Sequence, residues 1–347
     1  MNNHIRRRTF IKTAAAGGIG LGFQGKSLID KEFTNSAPGR IGIIGLDTSH
    51  STAFTKALND PAADPEFGGY KVVAAYPKGS NDIKSSFDRI PGYTEDVKKL
   101  GVEIVNSIED LLPKIDVVLL ETNDGRLHLE QALPVLRAGK KMFIDKPMAA
   151  SLADTIAIFE NAKLFNVPVF SSSSLRYISG AKEITEGSIG KVLGADTFSP
   201  ATLEKTHPDL FWYGMHGVEI LFTVMGTGCR SVIRTYTENF DKAVGVWKDD
   251  RIGTFRGLRS GRTEYGGTVF GEKGITVLGK YSGYNPLLIR IIEFFRTGIS
   301  PVSAEETIEI YTFMAAADES KLKGGIPVDM EPVLKKARLE AEKSIIR

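Results

Sequence analysis

The chain has 347 residues, 42% hydrophobic and 25% charged, which is the range of an ordinary globular protein with room for two domains. Its 44 basic and 42 acidic residues give a net charge of +2 with no block of like charge past the first dozen positions, so no basic stripe offers itself to nucleic acid and a small molecule is the expected partner. The single cysteine, Cys229, excludes an intramolecular disulfide and a thiolate zinc cage, and the five scattered histidines show no paired ligand spacing, so no metal is expected.

In chain order, residues 1–38 come first, with "RRRTFIKTAAAGGIGLGF" ending in an apolar run, 13–23, too short to span a bilayer; no stable membrane span is expected. From Arg40 the pattern alternates. It predicts strands over 41–44, 71–76, 103–106, 116–121, 141–144 and 167–170, and helices over 51–58, 94–100, 108–112, 128–138 and 152–165. Strands nearly continuous in Val, Ile and Leu and separated by helices call for a parallel sheet covered on both faces. After the run Ser171, Ser172, Ser173, Ser174 the rhythm changes to glycine-punctuated strand-like pieces, with helices over 214–225 and near the C-terminus. The expected fold is therefore α/β: an N-terminal Rossmann-like doubly wound parallel sheet (39–170), then a C-terminal α+β domain with an open, mostly antiparallel sheet (171–347).

The stretch "RIGIIGLDTSH" (40–50) sits where a dinucleotide fold turns from its first strand into its first helix. In G-x-G-x-x-G the glycines serve the tight turn, the close approach of the pyrophosphate, and helix packing. Gly45 keeps the first place, Asp47 takes the second and His50 the third. A carboxylate beside a phosphate costs on the order of 4 kcal/mol at about 4 Å and an effective dielectric near 20. Either Asp47 turns away, for instance to cap the helix, or the phosphates sit elsewhere. Leu46, Ser49 and His50 belong to the same candidate loop, the last two offering side-chain donors. The second strand ends without the acid expected for the ribose of NAD; Lys78 there suits a 2′-phosphate or is a solvated turn residue.

Two resemblances extend this. Arg7 and Arg8, followed by Thr9, Phe10, Ile11 and Lys12, resemble a twin-arginine export signal, which implies transport of the folded protein to the periplasm and a tightly held cofactor. The middle of the chain, with the Ser107 helix opening, the Thr122-Asn123 turn and His128 beyond it, the Ala138-Gly139-Lys140 helix stop and "DKP" at Asp145 to Pro147, resembles the Gfo/Idh/MocA oxidoreductases. "LRY" (175–177) and "GSIGKVLGA" (187–195) continue the likeness.

The resemblance implies NAD or NADP as cofactor, with Thr122, Asn123, His128, Asp145 and Arg176 joining the loop residues around it. It makes Lys146 a catalytic residue beside the nicotinamide and the reacting hydroxyl. His216 in "WYGMHGVE" fills the family's catalytic histidine place, although Trp212 stands where an aspartate is usual. Residues three apart on a helix can meet, so Glu219 is expected to bond His216 and favour its charged form. Tyr177, Trp212, Tyr213 and Glu219 are the expected substrate contacts. Three readings follow: an NAD(P)-dependent oxidoreductase of a sugar or polyol hydroxyl; a redox-neutral enzyme with a retained cofactor, such as a transient-oxidation glycosidase or a sugar–sugar oxidoreductase; and a non-catalytic sugar-binding protein. A homodimer or homotetramer is the expected assembly.

Overall fold

The computed structural model describes residues 39–346. The twin-arginine stretch lies outside them. In chain order the elements are β1 (Arg40–Ile44), α1 (Ser49–Asn59), β2 (Lys71–Tyr76), α2 (Lys84–Phe87), α3 (Ile90–Lys99), β3 (Glu103–Ile104), α4 (Ile108–Leu111), β4 (Val117–Leu120), α5 (His128–Arg137), β5 (Met142–Ile144), α6 (Leu152–Leu164) and β6 (Val169–Ser171). Then follow α7 (Ala181–Thr185), β7 (Val192–Pro200), α8 (Met215–Met225), β8 (Cys229–Tyr236), β9 (Phe240–Trp247), β10 (Ile252–Leu258), β11 (Gly266–Gly271), β12 (Gly274–Leu278), α9 (Asn285–Thr297), α10 (Ala304–Leu322), β13 (Val328–Asp329) and α11 (Met330–Ala341).

The first six strands form one parallel sheet in the order β3-β2-β1-β4-β5-β6, the doubly wound arrangement that the alternating pattern predicts. All four residues of β4 are buried, as a strand covered on both faces requires. Each fully buried Ile or Leu contributes roughly 1.5–3 kcal/mol. Serine caps open three of the helices: Ser107, Ser151 and Ser303 accept from the amides of Asp110, Asp154 and Glu306. The helix expected over 94–100 begins earlier, at Ile90, because Pro91 suits a first helical turn.

The other seven strands form a second sheet, β12-β11-β7-β10-β9-β8-β13, antiparallel except where β7 pairs with β10. α8, apolar on nearly every side, lies against β7 and β10. One packing feature has no local signal in the sequence. α9, from the stretch read as the second domain, sends Leu287, Leu288, Ile291, Ile292, Phe294 and Phe295 into the same core as Ile41, Phe54, Phe143 and Phe170 of the first sheet region. The chain thus returns to cover a face of its own N-terminal layer. No described helix is long and apolar enough to cross a membrane.

Candidate active site

The C-terminal ends of β1, β4 and β5 converge at the point where the strand order reverses, the usual place for a ligand in an open parallel sheet. A cleft of about 100 Å³ opens there, lined by Thr48, Ser49 and His50 from the start of α1, Asn123 after β4, Lys146 after β5 and His216 on α8, with Tyr213, Tyr265, Tyr281 and Tyr284 around them. Lys146 and His216, 70 positions apart in sequence, therefore face one space.

The loop after β1 makes the tight turn its glycine implies. Gly45 has φ 89°, and a Cβ there would lie 2.5 Å from the backbone nitrogen of Thr122. Thr48, not Asp47, caps α1, its hydroxyl accepting from the amide of His50. Asp47 is fully buried, and its carboxylate accepts from the amides of Ser80 and Asn123, each at 2.9 Å. It thereby bridges the loops after β1, β2 and β4. Burial raises its pKa, and the two amides partly offset this. Gly79 packs directly on it, since a Cβ would lie 2.1 Å from the Asp47 Oδ2 atom. A second strap lies nearby: Arg126 donates to Asp124 at 2.7 Å and also pairs with Asp82.

The residues fit the catalytic end of a dinucleotide. A helix N-terminus with the hydroxyls of Thr48 and Ser49 opens on the cleft, facing Lys146. The side toward β2 departs from the fingerprint, since the Asp47 carboxylate bridges the loops after β2 and β4 where the second glycine would leave room for phosphates.

Several expected residues hold other posts. Leu46 is buried and donates its amide to Pro77. Lys78 is exposed. The His128 ring lies between the carbonyls of Thr122 (2.6 Å) and Met148 (3.1 Å), bracing two loops instead of reaching the cleft, and Thr122 packs against Gly45. Asp145 is buried beneath the cleft, with His50 Nδ1 at 2.9 Å and Lys146 Nζ at 3.9 Å. Burial alone would raise its pKa, but the charges of His50 and Lys146 outweigh this and hold it at about 2.

Arg176 turns away from the cleft and pairs with Glu219 (2.9 Å) and Glu306 (2.7 Å), which outweigh the effect of burial and strengthen its charge. With Tyr177 it lines a separate groove beside Thr223 and Arg290. Glu219 is likewise engaged, by Arg176 and the Ser172 hydroxyl, so the expected bond to His216 is replaced. The His216 Nδ1 atom meets Ser173 Oγ at 2.6 Å instead. Burial, then the charges of Lys146 and His50, push its pKa well down, so the ring is neutral and not the expected imidazolium. Trp212 is buried behind the cleft against His207, its ring centroid 4.8 Å away, and of the two expected aromatic contacts at 212 and 213 Tyr213 lines the cleft.

The sequence reading missed Tyr265, Tyr281 and Tyr284, which sit in the glycine-containing stretches "TEYGG" and "YSGYN" and belong to none of the motifs. Burial pushes the Tyr265 hydroxyl up to about 12, so it stays a neutral donor. It also missed Glu121, fully buried at the end of the apolar β4 run, whose two carboxylate oxygens have no hydrogen-bond partner among the described residues.

Comparison with known proteins agrees with this fold. Residues 39–172 match the family GFO_IDH_MocA, described as an oxidoreductase family with an NAD-binding Rossmann fold. A stretch of 100 residues, 27% of this chain, is 33% identical to 1,5-anhydro-D-fructose reductase of Ensifer adhaerens, and covers 30% of that protein. A stretch of 121 residues, 33% of this chain, is 29% identical to an uncharacterized oxidoreductase of Streptococcus pneumoniae and covers 32% of it. The matches thus span about a third of the length of these curated relatives. Among solved structures, a probable dehydrogenase from Thermotoga maritima is similar with TM-score 0.68 at 19% identity, over 85% of this chain and 99% of that one. Myo-inositol dehydrogenase from Lactobacillus casei, solved with NAD(H) and myo-inositol, is similar with TM-score 0.66 at 18% identity, over 84% and 96% of the two chains. The described chain has the two-sheet fold of these structures, and its residues 39–172 are similar to the Rossmann-fold domain of the Gfo/Idh/MocA oxidoreductases.

Proposed function

We propose that this chain is an NAD(P)-dependent oxidoreductase acting on a hydroxyl of a sugar or polyol. One observation carries the reading: Lys146 and a neutral His216, brought from different layers of the fold, face the same cleft at the switch point of a Rossmann sheet. When bound, the nicotinamide ring supplies the hydride acceptor or donor. Ser173 engages Nδ1 of His216, which leaves Nε2 to take or return the hydroxyl proton, while the Lys146 ammonium holds the developing alkoxide. The tyrosine hydroxyls and the Arg89 side chain offer the donors and acceptors that a polyhydroxylated substrate needs.

The substrate class is supported by what the relatives are named for, anhydrofructose and inositol among them. A homo-oligomer is supported by an exposed apolar row across paired strands, Ile252, Phe270 and Ile275, with Val277 one step along. Export rests on Arg7 and Arg8 alone; finding the protein in the cytoplasmic fraction of its own cells would remove that part of the reading.

Mass spectrometry of small molecules released on denaturing the full chain, together with thermal shifts on adding NAD or NADP, tests the proposal. A released dinucleotide, or a shift, followed by absorbance change at the nicotinamide band with polyols, is the expected result; neither nucleotide nor shift would sink it. Turnover without added NAD would instead favour the redox-neutral form with a retained cofactor. The second reading, a sugar-binding protein without dinucleotide, is favoured by the Asp47 bridge between the loops after β2 and β4.

A further inference from the structure

Beneath the cleft three side chains converge from separate loops: His50 at the start of α1, Glu121 after β4 and Asp145 after β5. One donor atom from each lies within 4.8 Å of the others, and all three residues are buried. Both oxygens of Glu121, both of Asp145 and His50 Nδ1 make no hydrogen bond among the described residues, although His50 Nδ1 stands 2.9 Å from Asp145 Oδ2. Leaving carboxylates buried without donors is unfavourable, and folded chains avoid it unless something else fills the role. We propose that this cluster binds one divalent first-row metal ion, ligated by the His50 imidazole and the Glu121 and Asp145 carboxylates.

The donor set suits such an ion. One imidazole nitrogen and two carboxylates are common ligands of Zn²⁺ or Mn²⁺, whereas an all-oxygen cage would suit Ca²⁺. Ligand atoms about 2.1 Å from an ion stand up to roughly 4.2 Å apart, close to the 4.8 Å limit within which these three atoms lie. Other occupants fit less well. Neither Glu121 nor Asp145 lines the cleft, and both are fully buried, so a ribose hydroxyl resting in the cleft does not reach both. His50 does line the cleft, which gives an ion a way in. The ion would add a positive charge next to Lys146 and His216 and hold His216 more firmly neutral.

The inference does not depend on the dinucleotide, and its test reads the two separately. The full chain, stripped with a chelator and dialysed, is titrated with Co²⁺ while the visible ligand-field absorption is followed, and with Zn²⁺ by calorimetry and thermal melting. One ion per chain, a visible cobalt band and a metal-dependent rise in Tm are expected. Glu121→Gln and His50→Gln should each raise the metal Kd at least tenfold. If Glu121→Gln does not fold, Glu121→Leu, which continues the apolar β4 run, takes its place. Absence of the band and of any Tm rise in the wild-type chain overturns the site, as does unchanged affinity in the folded Glu121 and His50 variants. NAD and NADP titrations of the same samples keep the outcomes apart: nucleotide binding without metal defeats this inference alone, and metal binding without nucleotide defeats the oxidoreductase proposal alone.

Discussion

Asp47 and Glu121 are both fully buried carboxylates just past the ends of β1 and β4, two strands that pair directly in the first sheet. Asp47 accepts two backbone amides and ties three loops together, whereas Glu121 has no hydrogen-bond donor among the described residues. The same contrast recurs further off. Arg234, fully buried in the second sheet, is matched by Asp209, Asp241 and Asp318, with Arg259 also on Asp241. Where the chain needs a buried charge for its fold, it supplies the partners itself. Among the described residues, five of the nine buried side-chain atoms without a hydrogen bond belong to His50, Glu121 and Asp145 on the floor of the cleft, the others being on Thr122, Gln131, Arg176 and Tyr177.

The largest expected effect tests the functional side of this contrast. Lys146→Ala should lower turnover by about 10²- to 10⁴-fold in a variant that still folds, because the proposed function places Lys146 at the reacting hydroxyl. Preserved turnover in a folded variant would remove Lys146 from the chemistry. On the satisfied side, Arg234→Met should cost about 3–5 kcal/mol in denaturant unfolding, since Asp318 loses its guanidinium and the buried Asp241 keeps only Arg259. A loss under 1 kcal/mol would show that this network is not what holds the second sheet to α10.

Asp47→Gly restores the glycine of the fingerprint and sharpens the comparison. Stability should fall by roughly 1–3 kcal/mol as the amides of Ser80 and Asn123 lose their acceptor, while the Kd for NAD should drop at least tenfold. An unchanged Kd would mean that the carboxylate does not stand in the way of the phosphates.

The smallest effect is on pH dependence. His216 has a folded pKa well below its ordinary value of 6.5, so the unfolded chain binds its proton first as pH falls. Its contribution is fully present above pH 6.5 and is lost progressively below it, by at most about 1.4 kcal/mol per pH unit. The groups facing the ring are Lys146, His50, Asp145, Tyr213 and Tyr265. Urea melts of the wild type and His216→Gln between pH 7.5 and 5.5 should show the shallower decline in the variant; equal slopes would mean that His216 titrates normally.

Much of the architecture was legible in the chain. Runs such as Val117 to Leu120 and Met142 to Ile144 name a buried parallel sheet by their own composition, because covering both faces leaves no room for polar alternation. The motif places of Lys146 and His216 also led to one cleft. The electrostatics around them did not follow. Glu219 lies three residues from His216 on one helix, yet Arg176 takes it and Ser173 takes the ring, because partners from another element offered stronger or shorter bonds than the helical neighbour.

The sequence by itself determined the parallel sheet, its helices and the residue types available for chemistry, since periodicity, glycine turns and serine caps act over a few neighbouring residues. Only the tertiary structure decided that Asp47 spends its charge on Ser80 and Asn123, that α9 folds back under the first sheet, and that His50, Glu121 and Asp145 meet beneath the cleft. Those outcomes depend on burial and on contacts between distant loops, and both the strength of a charge and its need for a partner are set by what surrounds it in space.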